Sequence, residues 1–128
     1  MKLILIDDDA IQNHLVKMTI KKTQKNIDYN YFSNPEFALE YLSLISENEN
    51  PTLILLDLNM PELSGWQFLD KYSLLSITTK VAILSSTIDE ADFEKSKNYP
   101  IVFHFCHKPL TAEKLIEMIE KVEAESSI

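Results

Sequence analysis

The chain has 128 residues, 45% of them hydrophobic and 25% charged, a composition that fits one soluble globular domain able to bury a core. Its formal net charge of −8, with no basic cluster longer than Lys21-Lys22 and nearby Lys25, disfavours direct nucleic-acid binding, which draws on a concentrated Lys/Arg face. The longest apolar runs are too short to cross a bilayer, no secretory leader follows Met1-Lys2, and the single cysteine, Cys106, cannot form an internal disulfide, so a cytoplasmic protein away from membranes is expected.

Short apolar runs alternate with helical patterns from end to end. Lys2 to Ile6 is a continuous apolar run that stops at three aspartates, the pattern of a strand buried on both faces. From about Ala10 to Lys25, helical spacing places Ile11, Leu15, Met18 and Lys22 in one row. Ile27 to Phe32 is rich in β-branched and aromatic residues and predicts a second strand. Asn34-Pro35 supplies a cap and a first-turn proline, opening a helix with Phe37, Ala38, Tyr41, Leu42 and Ile45 on one face.

Asn48-Glu49-Asn50-Pro51 breaks that helix, and Leu53 to Leu56 forms a third buried strand ending at Asp57. A loop from Leu58 to Gly65 leads into a helix from Trp66 to Leu75, with Phe68, Leu69 and Tyr72 periodic. Lys80 to Leu84 predicts the fourth strand, running into Ser85-Ser86-Thr87. Ile88 to Asn98 gives a weaker, polar helix whose few apolar positions are Ile88, Ala91 and Phe93. Ile101 to Phe105 is the fifth strand. Thr111 caps the last helix, Leu110 and Leu115 are placed as a hydrophobic staple, and Leu115, Ile116, Ile119 and Val122 give its apolar face. The tail from Glu123 to Ile128 is expected to fray, most of all at 124–128. Five βα units with parallel-type strands imply a doubly wound α/β fold, one domain over residues 1–128.

In such a sheet, ligands bind at the carboxyl ends of the strands, near the point where strand order reverses. Those ends carry Asp7, Asp8 and Asp9, then Asp57 with Asn59 and Pro61, then Ser85, then Lys108-Pro109. Crowded carboxylates repel unless a cation neutralises them, and an all-oxygen set suits Mg²⁺. An aspartate can act as the nucleophile that forms an acyl phosphate. A metal and a lysine can neutralise the charge of a transferring phosphoryl group, and a hydroxyl such as that of Ser85 can bond to one of its oxygens.

The segments Leu3 to Asp9, Leu55 to Gly65 (with its Asp-x-Asn-Met-Pro-x-x-x-Gly run), Ala82 to Ser86 and Lys108-Pro109-Leu110 resemble the CheY-like receiver domains of two-component systems. The resemblance covers almost the whole chain, in order and at matching separations. It implies a flavodoxin-like (βα)5 fold with a five-stranded parallel sheet. It further implies Asp57 as phosphoacceptor and Mg²⁺ (or Mn²⁺) held by Asp7, Asp8, Asp57 and the main-chain carbonyl of Asn59. Lys108 would pair with the phosphoryl group, across a bond to Pro109 that is often cis in the family. Ser85 would be the switch hydroxyl and Phe105 the aromatic that turns inward. The output surface would be the fourth helix, fifth strand and fifth helix, roughly Ile88 to Val122. Implied partners are a sensor histidine kinase or histidine phosphotransfer protein upstream and a protein target downstream, with no output domain in the chain. Two departures stand out: Ser85 occupies a place where threonine is commoner, and Asn98-Tyr99-Pro100 replaces a small Gly-Ala pair. Asp9 is left out of the metal set.

Taken singly, each site residue has a plainer reading: Asp7 and Asp8 as strand-end loop acids, Asp57 as a turn cap, Lys108 as a solvated lysine, Ser85 as a loop hydroxyl and Phe105 as core. His104, Cys106 and His107 offer too few partners for a zinc site. Two rival functions compete with this one. A haloacid-dehalogenase-like phosphatase would use Asp7 of Asp7-Asp8-Asp9, but Ile11 and Gln12 break that pattern and the chain has no room for a substrate cap. A receiver fold used only as an interaction module, never phosphorylated, is the alternative function. The retained acids and lysine favour a self-phosphorylating and self-dephosphorylating switch that is no turnover enzyme.

Overall fold

The computed structural model describes residues 1–87 and 89–126. Five strands, β1 (Lys2–Ile6), β2 (Asp28–Phe32), β3 (Leu53–Asp57), β4 (Lys80–Ser85) and β5 (Val102–His107), form one sheet in the order β2-β1-β3-β4-β5. Every pairing is parallel. The described helices are α1 (Ala10–Thr23), α2 (Pro35–Leu44), α3 (Gly65–Tyr72), α4 (Glu90–Ser96) and α5 (Ala112–Ser126), with a 3-10 turn at Glu47–Glu49. This is the predicted doubly wound (βα)5 arrangement.

Alternation along each central strand divides the core into two layers. Ile4, Ile6, Ile54, Leu56, Val81 and Ile83 pack with Ala38 and Leu42 of α2 and with Phe68, Leu69 and Tyr72 of α3. Leu3, Leu5, Leu53, Leu55, Ala82 and Leu84 pack on the opposite face with Val16 of α1 and Leu115, Met118, Ile119 and Val122 of α5. Each such leucine or isoleucine, fully withdrawn from water, contributes roughly 1.5–3 kcal/mol. The middle of the sheet is therefore a stiff platform for whatever its strand ends carry.

Three expectations are corrected. The apolar row chosen for α1 faces outward: Ile11 is 70% exposed, and Leu15, Met18 and Lys22 are exposed with it. The buried row is Gln12, Val16 and Thr19, one residue further round. The Thr19 hydroxyl is satisfied there, donating to the carbonyls of Leu15 at 2.9 Å and Leu110 at 3.2 Å, whereas Gln12 Nε2 is buried without a partner among the described residues. In α2, Ala38 and Leu42 are buried as expected, whereas Phe37 is 63% exposed because it falls on the flank of the helix away from the sheet. At the carboxyl end, α5 stays helical through Ser126, past the point where fraying is expected, and Ser127 and Ile128 lie outside the described residues. Ile88, assigned to the fourth helix and to the start of the output surface, also lies outside them. No helix among the described residues is long and apolar enough to cross a membrane.

Candidate functional site

β1 lies between β2 and β3, so the chain reverses direction across the sheet between β1 and β3. Asp7 follows β1 and Asp57 ends β3, which sets both carboxylates at the reversal. Asp7 prolongs the β1–β2 ladder, its N–H donating to the Phe32 carbonyl at 3.1 Å. Its Oδ1 accepts the Asp9 N–H at 2.9 Å, turning the chain sharply so that Asp8 projects to the exterior. Asp9 then caps α1, accepting the Ile11 N–H at 2.9 Å.

Lys108 reaches this point from the far side of the sheet. Its N–H donates to the Ser85 carbonyl at 2.7 Å, which fastens the turn after β5 to the end of β4, and its bond to Pro109 is cis. Its Nζ lies 2.9 Å from Asp7 Oδ2 and 3.4 Å from Asp57 Oδ1. Carboxylate oxygens of Asp7, Asp8 and Asp57 all lie within 4.8 Å of one another. Asp7 is 0% and Asp57 5% exposed, so one ammonium faces three acids, two of them removed from water.

The electrostatics follow from that imbalance. Burial, then the neighbouring charge of Asp7, pushes the Asp57 carboxyl from an ordinary 3.8 up to about 6; Lys108 and the Asn59 N–H pull it back only in part. Burial works against the Lys108 ammonium, yet the hydrogen bond and charge of Asp7, with those of Asp57, carry its pKa above the ordinary lysine value. A cluster left net negative in a half-dry setting is one that gains from a further cation. Its donors are hard carboxylate oxygens on one flank of an open rim, a set that fits Mg²⁺ and leaves positions for water or a phosphate oxygen.

Of the residues expected to meet, Asp7, Asp8, Asp57 and Lys108 are brought together. Ser85 sits beside them at the end of β4, but its hydroxyl is engaged within its own loop, donating to the Thr87 carbonyl at 2.7 Å and accepting the Thr87 N–H at 3.3 Å. Asn59 is exposed in the loop after Asp57. Phe105 is half-buried on the α2–α3 side, its ring edge-on to Phe93 of α4 with centroids 6.1 Å apart.

Gly65, the last residue of the Asp-x-Asn-Met-Pro-x-x-x-Gly run, and Tyr31, which the sequence does not mark, complete the surroundings. Gly65 closes the loop, its N–H donating to the Leu58 carbonyl at 2.9 Å. A Cβ there would stand 2.8 Å from the Asp57 carbonyl oxygen, so only glycine lets α3 start so close to the end of β3. Tyr31 carries a buried hydroxyl with no partner among the described residues, and burial and then the charges of Asp7, Asp8 and Asp9 push its pKa up. Its alternation with Tyr29 along β2 was visible; its nearness to the acids depended on the β1–β2 register, which pairs Leu5 with Tyr31.

Comparison with known proteins agrees with this geometry. Residues 3–120 match the family model described as the response regulator receiver domain. A protein-glutamate methylesterase/protein-glutamine glutaminase of Treponema pallidum is 34% identical over 87 residues, 68% of this chain and 21% of that protein. The chain thus spans about a fifth of that relative's length. A chemotaxis protein CheY homolog of Campylobacter jejuni is 24% identical over 123 residues, 95% of this chain and 92% of the homolog. Among solved structures, a two-component response regulator from Cytophaga hutchinsonii superposes with a TM-score of 0.85 at 30% identity, covering 96% of each chain. With the acids and the lysine gathered at the sheet's reversal and the family match running over nearly every element, the chain belongs to the response regulator receiver domain family, the CheY-like signalling switches of two-component systems.

Proposed function

We propose that this receiver takes a phosphoryl group on Asp57 in a Mg²⁺-dependent reaction and, in response, changes its α4–β5–α5 face to bind a partner protein. The observation that carries the proposal is the convergence of three carboxylates within 4.8 Å of one another, with Lys108 bridging two of them. The donor is a phosphohistidine on a sensor kinase or phosphotransfer protein, and the reaction is placed in the cytoplasm.

An Asp57 carboxylate oxygen attacks phosphorus, a P–O bond forms, and the P–N bond breaks with its electron pair returning to the imidazole. Asp7, Asp8, Asp57 and the Asn59 carbonyl would hold Mg²⁺, which when bound supplies charge neutralisation at the phosphoryl oxygens. Lys108 shifts from its bridge between Asp7 and Asp57 onto a phosphoryl oxygen. Ser85 exchanges the Thr87 carbonyl for another of those oxygens. Releasing Thr87 frees the β4–α4 loop and opens room for Phe105 to turn from Phe93 toward the sheet.

The energies are commensurate. Inverting a 1:99 equilibrium takes about 5.5 kcal/mol of differential interaction, and hydrogen bonds to charged groups contribute about 1.5–3 kcal/mol each. About two to four such bonds reach that figure, counted net of those that Lys108 gives up to Asp7 and Asp57 and Ser85 to Thr87. No separate metabolite is processed.

The test uses acetyl phosphate as donor and intact mass as readout. With Mg²⁺ the wild type gains one phosphoryl group, without Mg²⁺ it gains little, and Asp57→Asn gains none. A phosphoryl gain that survives Asp57→Asn but requires Asp7 would overturn the assignment.

A further inference from the structure

The first turn of α3 is set hard against the strand that carries Asp57. Gly65 has no room for even one carbon beyond its backbone, with the Asp57 carbonyl oxygen and Leu58 Cα both 2.8 Å from where a Cβ would be. A reciprocal capping box between Ser64 and Gln67 fixes that turn. The Asp57–Leu58 backbone therefore cannot shift without pushing α3.

The next residue is Trp66. Its ring stacks on Tyr99, with centroids 5.4 Å apart and planes 28° from parallel, and the Lys95 ammonium lies 5.1 Å from the indole centroid. The Tyr99 hydroxyl donates to Asp70 Oδ1 at 2.9 Å, one turn further along α3. Tyr99 itself belongs to the connection between α4 and β5. Its N–H donates to the Ser96 carbonyl at 3.0 Å, closing α4, and its carbonyl accepts the N–H of Val102, the first residue of β5, at 2.9 Å. One side chain grips α3 at two points while its own backbone holds the end of α4 and the start of β5.

We infer that the Trp66–Tyr99 stack is a second tie between the Asp57 loop and the α4–β5 face, carrying displacement through α3 alongside the route through Ser85. The inference rests on Asp57 being the phosphoacceptor. Spatial intermediacy alone does not establish coupling, so the test must separate transmission from mere packing.

The full chain is treated with Mg²⁺ and beryllofluoride, and the ¹H–¹⁵N shifts of the Val102–Cys106 amides are recorded; labelling by acetyl phosphate is measured in parallel. Tyr99→Leu is expected to keep labelling within about twofold of the wild type while losing about half or more of the β5 amide response. Trp66→Leu, which removes the opposite ring, gives the same loss and stands in if Tyr99→Leu does not fold. Tyr99→Phe keeps the ring, lacks the bond to Asp70 and retains most of the response. A Tyr99→Leu chain that is labelled and shifted like the wild type overturns the tie and leaves the phosphoacceptor reading intact. Equal loss in Tyr99→Phe also overturns it, because the hydroxyl would then carry the coupling instead of the stack. A wild type neither labelled nor shifted overturns both readings.

Discussion

The two ends of the site differ in how firmly they are built. Around β1 and β3 every strand residue from Leu3 to Ile6 and from Leu53 to Leu56 is fully buried, and Asp7, Asp57 and Lys108 already hold one another. Past β4, itself buried from Val81 to Ser85, the packing thins at α4 and β5: α4 has 7 residues, and Phe93 and Phe105 are partly exposed, while Ser85 is bonded to its own loop. Chemistry needs groups in place before the phosphoryl arrives, whereas a switch needs an element held by few enough contacts to move. On the proposed function, the receiver divides these demands between the two ends of its site.

The largest expected effect lies on the firm side. Lys108→Met removes the only cation found between Asp7 and Asp57 among the described contacts, and stranding that buried charge should destabilise the metal-free protein by about 3–5 kcal/mol. Urea unfolding checks this, and Mg²⁺ should restore part of the loss. A negligible change would mean that the acids are better solvated than their burial implies.

Asp57→Asn should act in the opposite direction. Because folding raises this carboxyl to about 6, its ionised form is penalised in the folded chain; the penalty is absent well below pH 4, grows as pH rises, and is complete above about pH 6. At neutral pH the substitution should therefore stabilise the metal-free protein by roughly 2–3 kcal/mol while abolishing phosphorylation. The wild type should lose that stability between about pH 4 and pH 6, a loss missing from the variant's pH profile. Saturating Mg²⁺ shifts the balance the other way, by about 2.7 kcal/mol at a hundredfold excess over its Kd.

Gly65→Ala sharpens the boundary between the two ends. The added methyl meets backbone at 2.8 Å, so a destabilisation of about 1–3 kcal/mol is expected, with slower labelling of Asp57. The smallest effect belongs to the loose side. Ser85→Ala forfeits its hydrogen bonds to Thr87 and should cost about 1 kcal/mol of stability. It should lower labelling modestly, through the lost bond to a phosphoryl oxygen, and weaken the response at β5, read from the same amide shifts.

Sequence alone made the strands and their acidic ends legible because both are local. The runs Leu3 to Ile6 and Leu53 to Leu56 are apolar without interruption, and the residue ending each run or following it is an acid. Asn34 reads as a cap from Asn-Pro alone, and it does accept the Glu36 N–H at 2.8 Å. The buried face of α1 departs from the apolar periodicity because periodicity weighs side chains by polarity, whereas Thr19 is buried through a bond to Leu110, which lies 91 residues away. Phe37 departs likewise: hydrophobicity does not say which flank of a helix meets the sheet. The resting partner of Ser85, the proximity of Tyr31 to the acids and the stacking of Trp66 on Tyr99 depend on register and on loop geometry, which no residue type announces.

The central claim, that Asp57 is the residue phosphorylated, is tested most directly by trapping the acyl phosphate with borohydride and mapping the reduced residue by peptide mass spectrometry. The account predicts a single trapped position, Asp57, formed only when Mg²⁺ and the phosphodonor are both present. Trapping at Asp7 or Asp8, or none under those conditions, would contradict it.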